Sequence, residues 1–253
     1  MEYGLRQHIF VIRELTAREI KRKYSRSVFG ILWSVLNPLL YMVVMSVVLS
    51  GYSLNKETYP IYYITGYTLW SMFSTATSTA MTAFIDNRNL FQKSKLPREV
   101  FVVSRVYTAF VNLLFSCIAM VLVLIFYRIK LNWTVFIFAI DVFFELIFTI
   151  GFSFLLATIY VLFKDIQYIW KNTIVLLVHM VAVLYPLERY PEKLHKITKL
   201  NPMYIYPNIA RRCVLEGMYD LDELKLMVIW AFISIVLGLF VFKIFENEMV
   251  KRL

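Results

Sequence analysis

Six apolar stretches, at about residues 30–51, 60–85, 100–127, 133–163, 169–187 and 223–245, take up more than half of this 253-residue chain. Each is near or above the roughly 20 residues that an α-helix needs to cross a bilayer. Hydrocarbon offers backbone N–H and C=O groups no water, so only helices or closed barrels satisfy them there. The runs lack the roughly ten-residue alternating segments of a membrane barrel. The expected fold is therefore all-α: a polytopic membrane protein with six transmembrane helices, the fourth long enough to tilt or protrude. A mean hydropathy of +0.64 and 60% hydrophobic residues exclude an ordinary soluble domain, which runs at roughly 45–50% apolar.

Charge sets the expected orientation. The net charge of +10 belongs on cytoplasmic loops and against anionic headgroups, and no solvated basic domain exists to bind nucleic acid. With both termini cytoplasmic, the inner segments 1–29, 86–99, 164–171 and 243–253 carry more Lys and Arg than the outer ones, although the outer loop 188–225 is itself basic. Residues 1–29 are too charged for a cleavable signal. Leu5, Ile9, Ile12, Thr16 and Ile20 recur there at helical spacing, with Arg13, Arg18, Lys21 and Arg22 on other faces, the pattern of an amphipathic interface helix. Glu19 and Lys23 fall near the apolar stripe and spoil it. The basic segment stops at Gly30, with Trp33 to mark a membrane boundary and Pro38 to kink the first span.

Two loops have a readable character. In 86–99, Asp86 or Asn87 is expected to cap a short helix. Leu90 and Phe91 give that helix an apolar side and Pro97 ends it, so the loop looks built to dock another protein. The outer loop holds Pro186, Pro191, Pro202 and Pro207 among aromatic and apolar residues. Short helices at the outer face are predicted there, with Asn208 to Gly217 as one that ends at Gly.

Sites of chemistry are few. No P-loop, no G-x-S-x-G elbow and no H-E-x-x-H occurs, so neither nucleotide hydrolysis nor a membrane enzyme is supported. His8, His179 and His195 are scattered, and Cys117 and Cys213 suit neither a metal site nor a disulfide; no metal and no cofactor is expected. Polar stripes run along three spans: Ser71, Ser74, Ser78 and Thr82, with Thr75 beside them; Ser104, Thr108, Asn112 and Ser116; and Asp141, Glu145, Thr149 and Ser153. Residues three or four apart share a helix face, and such stripes either pack helices closely or line a pathway. Asp141 and Glu145, as acids inside a span, point to function: a wet outer vestibule, a partner in Arg211 or Arg212, or proton coupling. Tyr59, Tyr62, Tyr63, Tyr67 and Trp70 form either an interfacial belt or a surface for sugar rings.

Four further stretches together resemble a known family, the membrane subunits of type-2 ABC exporters that export polysaccharide (O-antigen, capsule and teichoic acid). Tyr24-Ser25-Arg26-Ser27-Val28-Phe29-Gly30-Ile31-Leu32-Trp33 with Asn37-Pro38 is similar to its Tyr-x-x-Ser-x-Leu-Gly-x-x-Trp signature. Leu96-Pro97-Arg98-Glu99, Phe163-Lys164-Asp165-Ile166 and Leu200-Asn201-Pro202 resemble later motifs. Phe29 and Lys164 depart from the family's Leu and Arg, and Asp141 and Glu145 match none of its motifs. The resemblance implies a bacterial inner-membrane permease: an interface helix over 1–29, then a six-span domain over 30–253 with a coupling loop at 86–98 and an external gate-helix loop at 188–222. It implies a homodimer with two copies of a separate cytoplasmic ATPase, and a glycan on a polyprenyl pyrophosphate lipid as cargo. A substrate pathway is then expected along Trp33, Asn37, Tyr41, Ser71, Ser74, Ser78 and Asn112. Lipid headgroups or pyrophosphate are expected at Arg22, Arg26 and Gly30, ATPase coupling at Arg88, Leu90, Phe91 and Lys93, and an external gate at Tyr59, Tyr63, Asn201, Pro202 and Tyr204. The competing readings are a drug- or haem-type export permease and an ion- or proton-coupled carrier that uses Asp141 and Glu145.

Overall fold

The computed structural model describes residues 5–25, 27–49, 58–93 and 96–252, and every regular element among them is helical. In chain order these are α1 (Leu5–Tyr24), α2 (Trp33–Leu49), α3 (Tyr59–Met81), α4 (Ala83–Asp86), α5 (Arg88–Lys93), α6 (Glu99–Phe126), α7 (Val135–Leu162), α8 (Ile166–Met180), α9 (Glu192–Leu200), α10 (Pro202–Arg211) and α11 (Leu221–Arg252). Four stretches are long and apolar enough to cross a membrane: Gly30–Leu49, Glu99–Phe126, Val135–Leu162 and Leu221–Arg252. The chain is a multi-pass membrane protein.

The second and fifth apolar runs depart from simple spans. Helix α3 has 23 residues, enough in length, but its tyrosines, serines and threonines dilute its hydropathy. It instead forms the centre of the bundle, against α6, α7, α2 and α10. Its buried threonine hydroxyls are satisfied within the helix: Thr65, Thr68 and Thr77 donate to the carbonyls of Ile61, Ile64 and Phe73 at 2.7–2.8 Å. The fifth run does not stay helical. Helix α8 stops at Met180 after 15 residues, about 22 Å of rise, short of the roughly 30 Å hydrocarbon thickness. Val181–Leu184 turn away from it, with Ala182 at φ 51°. The unwound carbonyls are taken up by side chains, as non-helical backbone in an apolar setting requires: Tyr62 donates to Ala182 O at 2.8 Å and Tyr59 to Leu184 O at 2.6 Å.

The closest helix pair is α7 with α11, where small residues let the backbones meet. A Cβ on Gly151 would overlap the Ser234 carbonyl, and one on Gly238 would overlap the Gly151 carbonyl. Ser234 donates to Phe148 O at 2.7 Å across the same seam. Beside it Phe73, Phe148, Phe152 and Trp170 pack with ring centroids 5.2–6.1 Å apart. Arg98 to Glu246 at 2.8 Å and Lys243 to Glu99 at 2.6 Å tie the start of α6 to α11.

Candidate functional site

Helix α1 does not lie free. Leu15, Thr16 and Glu19 are buried while Ile9 and Phe10 are exposed, so one side of the helix packs on α6 and another faces outward. Thr16 donates to Ser104 O at 3.3 Å. The stripe that Glu19 and Lys23 appeared to spoil is a protein-facing side: Glu19 is buried, and both residues line a cavity of about 310 Å³ between α1, α3 and α6. Arg22, Thr75, Thr79, Arg105, Thr108 and Asn112 complete its polar lining. Lys23, Thr75 and Asn112 also border an adjoining cavity of about 140 Å³, which Ser34, Asn37, Tyr67, Ser71 and Ser116 share. Together the two form a polar groove at the junction of α1 and α2.

Local sequence explains how the groove is held. Gly30 has φ +49°, a left-handed conformation that glycine adopts without strain, and it reverses the chain from α1 into the turn Gly30–Leu32 and then α2. Pro38 lies inside α2 and has no N–H, so the Ser34 carbonyl one turn back is freed from the helix ladder. Ser116 of α6 donates to that carbonyl at 3.3 Å. The Ser34 and Tyr24 hydroxyls share a hydrogen bond, and each lies 3.2 Å from Asn112 Oδ1. Asn112 Nδ2 donates to Thr108 O at 3.0 Å. One amide therefore ties α1, α2 and α6 at the floor of the groove.

Of the residues expected along a pathway, Asn37, Ser71 and Asn112 line this groove. Tyr41 is exposed and packs on Tyr67 at 5.5 Å. Trp33 is exposed and meets Phe29 edge-on, and Ser74 and Ser78 are half-buried one and two turns farther along α3. Arg22 borders the larger cavity; Arg26 lies outside the described residues, as do the side chains of Phe91 and Lys93. Arg88 and Leu90 are exposed on α5. Asn87 does not cap that helix, because its amide is committed elsewhere: Nδ2 donates to Ala83 O at 2.8 Å and Oδ1 accepts from Arg18 at 2.6 Å. Sequence reasoning missed Lys23, Thr79 and Arg105 as groove residues. The signal for Lys23 was present, as a charge on the wrong side of an amphipathic stripe.

The opposite end of the bundle is built around Arg211, which is 4% exposed. Its guanidinium stacks on the Tyr62 ring, 3.6 Å from the centroid. It donates to Tyr62 O at 3.1 Å, Ala182 O at 2.7 Å, Val183 O at 3.1 Å and the Tyr62 hydroxyl at 3.0 Å. Asn201 caps α10 by accepting from Met203 N at 2.9 Å, with Pro202 at the first helical position. The predicted helix ending at Gly217 begins earlier, at Pro202, and closes in a π turn over Arg212–Glu216 with Gly217 at φ +67°. Tyr59, Tyr63 and Tyr204 are buried, so no ring face of these three is open to a sugar. Burial pushes the Tyr190 phenol in the same loop up to about 12.

Asp141 and Glu145 are fully buried on α7, and neither they nor Thr149 and Ser153 have a hydrogen-bond partner among the described residues. The expected partners are engaged elsewhere: Arg211 as above, and Arg212 with Glu223 at 3.2 Å and Asp220 at 3.5 Å. Among the described residues no group of His, Cys, Asp and Glu could hold a metal ion, and both cysteines are free.

Comparison with known proteins adds the lineage. The model of the ABC-2 type transporter family matches residues 11–214. The chain is 30% identical over 250 residues to an O-antigen export system permease protein, RfbA, of Myxococcus xanthus, covering 96% of this chain and 94% of that one. It is 26% identical over 247 residues to the RfbA permease of Klebsiella pneumoniae, at the same coverage. It is 18% identical over 255 residues to the polysialic acid transport protein KpsM of Escherichia coli, covering 94% of each.

Proposed function

The chain belongs to the ABC-2 type transporter family, and from that membership we propose that it is the membrane permease subunit of an ATP-driven exporter whose cargo is a polysaccharide on a polyprenyl pyrophosphate lipid. The single observation that carries the reading is the polar groove at the α1–α2 junction. There Arg22 and Lys23 lie beside hydroxyls and amides from three helices, a combination suited to a diphosphate followed by sugar. Charge-assisted hydrogen bonds from arginine are the strong ones for phosphate, and Arg26 extends the basic run. The full-length similarity to O-antigen and polysialic acid transport proteins favours glycan over a drug or haem.

In this reading residues 1–29 are the interface helix and 30–253 the six-span domain, with α3 as the less apolar span, α8 with the unwound Val181–Leu184 as the short one, and both termini cytoplasmic. Two copies of the chain work with two copies of a separate ATPase. Segment 86–98 docks it through Arg88, Leu90, Phe91 and Lys93, and α9 and α10 gate the outer face. ATP hydrolysis belongs to the partner chain, and the permease contributes rigid-body motion between two channel states. Co-expression with the ATPase subunit tests this. Asn112→Leu is expected to lower surface glycan while the complex still assembles. Leu90→Asp with Phe91→Asp is expected to abolish co-purification of the ATPase. Export that survives the double change removes the proposal.

A further inference from the structure

Arg105 enters α6 less than two turns from its start, and its side chain is 8% exposed. Its Nη1 donates to Glu19 Oε2 at 2.7 Å and its Nη2 to Asp86 Oδ2 at 2.9 Å. Glu19 belongs to α1 and Asp86 ends α4, so one guanidinium holds two segments far apart in sequence. The network extends on both sides. Arg22 pairs with Glu19 Oε2 at 2.9 Å, the Thr82 hydroxyl donates to Asp86 Oδ2 at 2.8 Å, and Arg18 donates to Asn87 Oδ1, at the C-terminal end of α4, at 2.6 Å. The same guanidinium lines the larger cavity of the groove.

A buried ion network of this kind contributes little net stability, because desolvation offsets most of the attraction. What it supplies is geometry. The planar fork of arginine fixes two acceptors at once, which a lysine ammonium does not. We infer that Arg105 is a positioning residue that clamps α1 to the α4–α5 segment, so that both move with α6 as one body. A displacement of α5 is then carried to the floor of the groove through packed, rigid elements. The inference rests on the reading of α5 as the ATPase contact.

Two variants test it beside the parental chain, each assembled with the ATPase subunit: Arg105→Gln, and the triple change Glu19→Gln, Asp86→Asn, Arg105→Gln. The triple variant keeps the shapes of the two acidic side chains, replaces the guanidinium fork by a shorter amide and leaves no buried unpaired charge. Both are expected to assemble with the ATPase subunit in parental yield while glycan exported per ATP hydrolysed falls by about tenfold or more, the size of an ordinary coupling free energy. A merely structural role would lower recovery, hydrolysis and export together. Undiminished export per ATP by the triple variant overturns the clamp. In a second test, Arg18→Cys and Asn87→Cys are bridged by a short bis-thiosulfonate, which forms a disulfide to each cysteine with loss of sulfinate and is cleaved by reductant. Parental export is expected, whereas a block that cleavage relieves means that α1 and α4 must separate, which overturns the clamp. If the parental chain exports no glycan, the exporter reading fails by itself. The clamp is then read from the distance between spin labels at Ile9 and Asn89, expected to spread in the triple variant; an unchanged distribution overturns it.

Discussion

Arg105 and Arg211 are both buried arginines, 7% and 4% exposed, set toward opposite ends of α3, and they are compensated in different ways. Arg105 is balanced by two carboxylates from separate segments. Among the described residues Arg211 donates to neutral acceptors, three backbone carbonyls and a phenol. The first arrangement joins elements that each have their own helical hydrogen bonds and stand without the ion. The second completes backbone that left its helix at Val181, sharing Ala182 O with the Tyr62 hydroxyl and supplying the donor to Val183 O. One arginine sets the relation between parts, and the other is part of the fold.

Mutations can break or sharpen that contrast, measured as shifts in the unfolding midpoint of purified protein in detergent. The largest loss is expected for Arg211→Ala, which strands the Val183 carbonyl, leaves Ala182 O to Tyr62 alone and removes the guanidinium stack on Tyr62, and should cost about 3–5 kcal/mol. Arg105→Ala should cost less, about 1–3 kcal/mol, because Glu19 keeps Arg22 and Asp86 keeps Thr82. Equal losses at the two sites would collapse the distinction. Tyr62→Phe removes one donor to Ala182 O and one acceptor from Arg211, so a loss of about 1–2 kcal/mol is expected. Asn201→Ala removes the cap of α10 at a cost of about 1 kcal/mol. If Tyr62→Phe costs less than Asn201→Ala, the stacked guanidinium and its carbonyls hold the loop without the phenol.

Much of the fold was legible before any coordinates. Apolar runs predict α2, α6, α7 and the start of α11 to within a few residues, because a span must satisfy its own backbone and needs a fixed length, whereas α11 continues past the apolar run to Arg252. The π turn at Gly217 and the chain reversal at Gly30 were marked by glycines in the right places. The end of α8 was not legible. Residues 181–187 are as apolar as a helix, and their unwinding depends on tyrosines and an arginine from elsewhere in the chain. The candidate site was half visible: Asn37, Ser71 and Asn112 stood out as polar residues on span faces. Arg105 did not, and Lys23 showed only as a charge that spoiled an amphipathic stripe; their place in the groove appears once α1 is laid against α6. Asp141 and Glu145 stood out as acids in a span, but Arg211 and Arg212 do not pair with them as the sequence suggested.

The sequence by itself determined that the chain is a bundle of membrane helices with a basic, amphipathic start, because hydropathy and backbone satisfaction depend on composition along the chain. Only the tertiary structure decided which charges meet. The carboxylates that balance Arg105 and the carbonyls that hold Arg211 come from distant segments, and periodicity along one helix carries no information about its neighbour's side chains.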